Sequence, residues 1–362
     1  MSRSFGLVGL PNAGKSTIFN ALTMAGARVE AYPFCTIEPH HGMAAVPDER
    51  LDKLHTLFPH KKKVPTTIEV VDIAGLVKGA SQGEGLGNQF LAEIRSVEAI
   101  LHVVRCFSSP DVAHPMGEVD VRRDIAVVET ELLLKDLETL ERRKERLAKV
   151  ARAGDKEAKA ELALVERLIG AVAGGTPIRK LGLSPQELAL LKDLAPLTAK
   201  PVLYVANVGD EEEDGRAEAV AQVAREQGAG WVAVHGRLEA ELGEAFPNEA
   251  ERREALAQYG LRESALVRLV REAYRLLGVI TFYTVEGPEV RAWTVHAGTK
   301  APDAGAAIHT DFRDRFVLAE VMTIPDLVAA GSEKALREAG KIHRAGRDYA
   351  VHDGDVIHFI CA

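Results

Sequence analysis

The sequence predicts a doubly wound α/β domain, interrupted by an α-helical hairpin and followed by a β-rich C-terminal domain. Three observations carry this. Near-continuous apolar runs at 5–8, 67–71, 99–104 and 202–206 read as parallel strands covered on both faces, with helical segments between them. From about Val121 to Leu197 strand signals vanish, and leucines recur at 3- and 4-residue steps. After about Leu277, "VITFYTVEG" and "VRAWTVHAG" are β-branched and aromatic runs separated by glycine, as in a hairpin. The expected boundaries are 1–120 with 198–277 for the α/β domain, 121–197 for the insertion and 278–362 for the last domain.

The bulk numbers fit this plan. A chain of 362 residues, 46% hydrophobic and 27% charged, has the composition of a globular protein of two or three domains. A net charge of −8 excludes a generally basic surface, though not a local basic patch. Cys35, Cys106 and Cys361 are far apart and outside any C-x-x-C spacing, so they read as reduced thiols rather than a disulfide framework or zinc site. The N-terminus runs straight into a glycine-rich loop, unlike a signal peptide, and no run of about 18 apolar residues is present to span a membrane. A cytoplasmic monomer is expected.

Taken in order, Phe5–Val8 is the first strand and "GLPNAGKS", Gly9–Ser16, fits G-x-x-x-x-G-K-[ST] before a helix from about Lys15 to Thr23. Glycines let backbone N–H groups curl around phosphate oxygens at a helix N-terminus. Lys15 supplies a cation to the β- and γ-phosphates, and Ser16 a hydroxyl to Mg²⁺. The candidate nucleotide-contacting residues here are Asn12, Ala13, Gly14, Lys15, Ser16 and Thr17. Asn12 is also placed to help a monovalent cation such as K⁺ sit beside the phosphates. In "YPFCTIEPH", 32–40, Thr36 is a candidate metal ligand. "HKKK", His60–Lys63, is a basic spot.

The strand Thr67–Val71 delivers Asp72, the acid expected to hold Mg²⁺ through water, and then Gly75, whose N–H can reach a γ-phosphate. Leu76 follows where many switch proteins carry a polar group that orients the attacking water, and glycines at 79, 83, 85 and 87 allow the loop to change shape. Leucine cannot hold a water, so hydrolysis needs another group.

Leu133, Leu137, Leu140 and Leu147 form one helical stripe; "ARAGD" breaks it, and Leu162, Val165, Ile169 and Val172 resume it. A short glycine turn then makes an antiparallel hairpin. Arg142, Arg143, Lys144, Arg146, Lys149 and Arg152 gather toward its tip, interleaved with Glu138, Glu141 and Glu145. That pattern suits a solvated helix or a contact with an RNA backbone. "SPQE", Ser184–Glu187, opens another helix with a capping box. After strand Val202–Ala206 comes "NVGD". Guanine-reading proteins commonly have N-K-x-D here; this chain keeps Asn207 and Asp210 but has Val208 for the lysine. "VAVHG" places His235 and Gly236 at a further base-contacting position. The tail "RDYAVHDGDVIHFICA" predicts two strand pieces around Asp353-Gly354.

Together these residues resemble one family. "GLPNAGKST", "YPFCTIEP" and "DIAGLVKGAS" are similar to the Obg-related branch of translation-factor-class P-loop NTPases. The helical insertion, "AAIHTDFRDRFVLAEV" and "GRDYAVHDGDVIHF" narrow the resemblance, over essentially the whole chain, to the YchF/Obg-like ATPase family. It implies a P-loop G domain with an inserted coiled-coil arm and a C-terminal TGS (ubiquitin-like) domain. It also implies ATP used at least as well as GTP, and association with the ribosome (large subunit or 70S) and its rRNA. Family members carry a hydrophobic residue at the Leu76 position, and a histidine in a mobile loop is thought to act instead; here the match is His114 in "DVAHPMGEVD". The chain departs from the family at Asp210, where glutamate is usual, and aspartate is what a guanine reader uses.

The leading expectation is therefore a ribosome-associated hydrolase of ATP, with GTP as a further substrate, that is slow on its own. A GTP-dependent nucleic-acid-binding protein reading guanine through Asp210 is the alternative. A metabolic P-loop kinase is disfavoured by two switch-like loops and appended binding domains. A nucleic-acid-binding protein with a structural nucleotide would show no turnover.

Overall fold

The computed structural model describes residues 3–27, 40–73, 92–209, 215–246 and 249–362. The chain divides into two units, one of Met1–Met24, Thr36–Gly42 and Glu69–Glu272, the other of Ala25–Cys35, Met43–Ile68 and Ala273–Ala362.

In the first unit β1 (Ser4–Val8) lies parallel to both β4 (Thr67–Asp72) and β5 (Ala99–Cys106); β6 (Val202–Val208) continues from β5, and β7 (Gly230–Val234) from β6. With β2 (His41–Ala45) at the edge, the order is β2-β4-β1-β5-β6-β7. Every residue of β1 and β5 is buried, which is why these runs are apolar throughout rather than alternating. β5 and β6 each run two residues past their apolar cores, pairing Arg105 with Asn207 and Cys106 with Val208. Polar side chains hid these ends, but ladder hydrogen bonds use only the backbone.

The insertion is a hairpin of two helices, Val121–Arg152 and Lys156–Ala173. Each starts on an aspartate cap: Asp120 accepts from the Arg123 N–H, and Asp155 from the Ala158 N–H. Gly154, at φ 99°, makes the turn between them. Leu133, Leu140 and Leu147 bury against Leu164, Val165, Leu168 and Val172, with Leu137, Leu162 and Ile169 along the margin. Both bonds of the Ser184–Glu187 capping box are made. At the root of the arm the buried Asp136 carboxylate accepts from Leu197 N (2.7 Å), Thr198 N (2.8 Å) and Thr198 Oγ1 (2.6 Å).

The second unit is a six-stranded sheet with order β11-β10-β12-β8-β9-β3. Its strands are β3 (Lys62–Val64), β8 (Val279–Thr284), β9 (Glu289–His296), β10 (Phe316–Thr323), β11 (His343–Ala345) and β12 (Asp355–Cys361). β8 and β9 form the antiparallel hairpin read from the sequence. The tail differs: Asp355–Cys361 is a strand, but Ala350 makes only an isolated bridge with Lys300. Backbone groups of Tyr349 and Val351 are spent on Ala301 N and Thr299 O, so this stretch does not turn back on β12. The segment 43–68 also belongs here. Helix α2 (Glu49–Leu57) puts Leu51 and Leu54 into a core with Tyr283, Val290, Leu327 and Val356, and β3 pairs in parallel with β9. Among the described residues, no helix is long and apolar enough to cross a membrane.

Candidate functional site

Strands of a parallel sheet end together, and the connections beyond their carboxyl ends make the natural crevice for a ligand. The P-loop leaves β1 there and enters helix α1 (Lys15–Ala27). Gly9 fits because a Cβ would stand 2.3 Å from the Val103 carbonyl oxygen. Gly14 adopts φ 92°, and a Cβ there would stand 2.0 Å from Asn207 Nδ2. Asn12 is left-handed too (φ 61°), a conformation asparagine tolerates. Ala13 is buried, Ser16 exposed and Thr17 half-buried.

Lys15 is buried and folds its Nζ onto the carbonyl oxygens of Gly9 (3.2 Å) and Leu10 (3.1 Å). Burial holds its ammonium below the ordinary value, and the Asp72 charge partly offsets this. Asp72 ends β4, opposite Leu7 of β1, and is 7% exposed. Its Oδ1 is buried with no hydrogen-bond partner among the described residues. A buried acceptor left unmatched beside a lysine, with the Ser16 hydroxyl open at the helix start, is a donor set that fits a hydrated divalent cation.

Asn207 does more than face a base. Its Nδ2 donates to Ala13 O (2.9 Å), and its Oδ1 accepts from Gly236 N (3.2 Å). It thus ties the P-loop to the turn after β7, where Gly236 has room for no more than hydrogen: a Cβ would meet Asn207 Oδ1 at 2.8 Å. His235 Nδ1 bonds to Gly209 O at 2.9 Å. Val208 packs its side chain against the α/β core. Asn12, Ala13, Gly14, Lys15, Ser16, Asp72, Asn207, His235 and Gly236 are thus gathered at strand ends. Thr36, Gly75, Leu76 and Asp210 lie outside the described residues.

His114 is placed otherwise. Its imidazole is 3% exposed; Nε2 lies 2.9 Å from Asp124 Oδ2, and Nδ1 accepts from Met116 N at 3.1 Å. A cavity of about 10 Å³, room for one water, is walled by Leu10, Pro11, Ala13, His102, Arg105, His114 and Asp124. His102, fully buried, is pushed down to about 3 by burial and by the charges of Arg179 and Lys15, so it is a neutral wall residue. Sequence reading did not single out Arg105 or Asp124. The available signal was an arginine inside the apolar run "AILHVVRC" and a buried aspartate in the first turn of the arm.

Comparison with known proteins gives the family. Residues 4–139 match the family model of the 50S ribosome-binding GTPases. Residues 279–361 match the YchF-GTPase C-terminal model, described as a protein of unknown function. The chain is 47% identical over 356 residues to the ribosome-binding ATPase YchF of Haemophilus influenzae, covering 98% of each. It is 46% identical over 365 residues to the Bacillus subtilis protein of that name, covering 99% of each. The solved Schizosaccharomyces pombe YchF GTPase superposes with a TM-score of 0.88 at 36% identity, covering 99% of this chain and 98% of that one. A GTP-binding protein of Pyrococcus horikoshii (TM-score 0.60, 18% identity, each chain covered in full) shares the fold.

Proposed function

The chain belongs to the family of the ribosome-binding ATPase YchF, and on that premise we propose that it is a ribosome-associated switch that hydrolyses ATP, with GTP as a further substrate. It is a P-loop nucleotide hydrolase. The observation that carries the site is the buried, unmatched Asp72 carboxylate beside Lys15 under a glycine-built loop.

In this reading the N–H groups of Ala13 to Thr17 and the Lys15 ammonium bind and orient the phosphates. Ser16, Thr36 and Asp72 are the residues to hold Mg²⁺, which when bound neutralises charge on the β- and γ-oxygens. Gly75 offers its N–H to the γ-phosphate. Water attacks the γ-phosphorus in line, the bond to the bridging oxygen breaks, and the nucleoside diphosphate leaves. Leu76 has no hydrogen-bonding side-chain atom to orient that water, so His114 polarises it, and Asn12 is the residue that would help hold a K⁺ ion beside the phosphates. Asn207, Val208, Asp210, His235 and Gly236 form the base side of the pocket. Val208 lies against the core, so no lysine stem covers the base. The exposed Arg146, Lys149 and Arg152 near the arm's end suit rRNA phosphates. We assign 278–362 to a TGS domain and the working protein to a cytoplasmic monomer.

Titration of the purified protein with fluorescent ATP and GTP tests the base preference; GTP bound more than tenfold tighter would mean that Asp210 reads guanine. Phosphate release with and without ribosomes tests the partner. Equal turnover, with no co-sedimentation, would remove the ribosome from this account.

A further inference from the structure

The loop 107–119 that carries His114 is held by a small set of polar contacts. Arg105, at the end of β5, is 4% exposed and grips the loop from beneath. It donates to Phe107 O (3.1 Å), Val112 O (2.8 Å) and Ala113 O (3.4 Å), and its guanidinium stacks 4.4 Å from the Phe107 ring. Asn12 of the P-loop adds a bond from Nδ2 to the same Ala113 oxygen (3.0 Å). Asp124 takes the other end: Oδ2 meets His114 Nε2, while Oδ1 accepts from Arg123 Nη2 at 3.1 Å.

Both ring nitrogens of His114 are therefore engaged, and its ring is almost fully covered. A histidine so placed can neither orient a water at a γ-phosphate nor accept its proton. One partner has to let go. Val121, Ile125 and Val128, on the same helix turns as Asp124, are buried in the α/β core, so the anchor stays fixed. The loop itself is mostly exposed at 110–113, 115, 117 and 118, with few apolar contacts to lose. Loop movement, rather than helix movement, is the less costly change.

We propose that Arg105 and Asp124 are positioning residues that form a latch: they hold His114 buried with its Nε2 engaged, and release of the 107–119 loop sets the rate of hydrolysis. Asn12 links the latch to the P-loop, because its side chain holds the loop by the residue before His114. A nucleotide or cation that recruits Asn12 thereby loosens one of the loop's fixings. The inference rests on the reading of His114 as the group that acts on water.

The test is steady-state ATP hydrolysis by Asp124→Asn and Arg105→Gln, each alone and combined with His114→Ala. Asp124→Asn keeps the shape but removes the charge that strengthens the bond to Nε2, so a kcat about tenfold above wild type is expected with KM unchanged. The gain should vanish in the His114→Ala background, which a merely structural effect would not require. Amide hydrogen exchange of peptides spanning 107–119 supplies a readout apart from activity. The Met116 and Gly117 N–H groups, which donate to His114 Nδ1 and His114 O, should exchange faster in both single variants. A kcat unchanged or lowered in both variants, while His114→Ala still reduces wild-type turnover, would overturn the latch and leave the role of His114 standing. Wild-type turnover in His114→Ala would remove both together. If either variant fails to fold, unchanged exchange in the other would by itself overturn the latch.

Discussion

Replacing Gly14 with alanine tests whether the P-loop is held in shape by Asn207. Gly14 sits at φ 92°, where an L residue pays roughly 1–2 kcal/mol. The new Cβ would stand 2.0 Å from Asn207 Nδ2 and 3.3 Å from its Cγ, so the amide must move. Moving it breaks the bonds to Ala13 O and Gly236 N, at about 0.5–1.5 kcal/mol each. The sum is about 2–5 kcal/mol, equivalent to roughly 30- to 4,000-fold in affinity if it falls on the phosphate-ready loop. Gly228→Ala is the control: its φ of 65° carries the same backbone penalty, but nothing lies within 4 Å of the added carbon. Titration with a fluorescent ATP analogue, alongside a thermal melt, should show lost binding for Gly14→Ala and only a modest loss of stability for Gly228→Ala. ATP affinity within threefold of wild type for Gly14→Ala, at an unchanged melting temperature, would refute the role given to Asn207.

Two further outcomes are expected. Asp72→Asn keeps the fold but removes the acceptor charge beside Lys15, so the magnesium concentration giving half-maximal hydrolysis should rise at least tenfold; an unchanged magnesium titration would show that the unmatched oxygen holds no hydrated cation. In the second unit the Glu320 carboxyl is held below its ordinary value, first by hydrogen bonds from Arg337. A depressed carboxylate contributes stability above its unfolded pKa of about 4.3 and loses it as pH falls through the folded value. Glu320→Gln should therefore lower the melting temperature at pH 7 and flatten its dependence on pH below about 5; parallel wild-type and variant curves would count against this pair.

The strands and the P-loop were legible because burial on both faces demands uninterrupted apolar runs and phosphate binding demands glycine where no Cβ fits. The sequence offered Asn207 for a purine base, but its bonds to Ala13 and Gly236 were not legible, since they join positions 194 and 29 residues away. Leu76, which has no polar side-chain atom, raised the expectation that another group acts on the water. Nothing in the local sequence showed that His114 faces Asp124, because a histidine between proline and alanine carries no signal of burial. The strand expected around Ala350 failed for a related reason: alternation describes a residue's environment, whereas pairing is decided by which distant backbone is free.

The segment 43–68 has no marker in composition or periodicity, yet it bears on how the chain must be dissected. It lies between Thr36 and Asp72, two of the residues assigned to the metal, and its helix α2 and strand β3 pack in the C-terminal unit. Arg50 meets Asp353 at 2.7 Å, Asp48 accepts from the Tyr283 hydroxyl, and β3 pairs with β9. The C-terminal unit is thus not a module attached at one linker near residue 277. Removing 278–362 would strip Leu51 and Leu54 of their core and leave β3 without its neighbour, directly upstream of the strand that presents Asp72. A truncated chain that loses hydrolysis would report damage to that strand's approach as readily as a missing binding surface. Point changes at exposed positions of the second unit, such as Val317, separate the two, because they leave Asp48, Arg50 and the β3–β9 pairing in place.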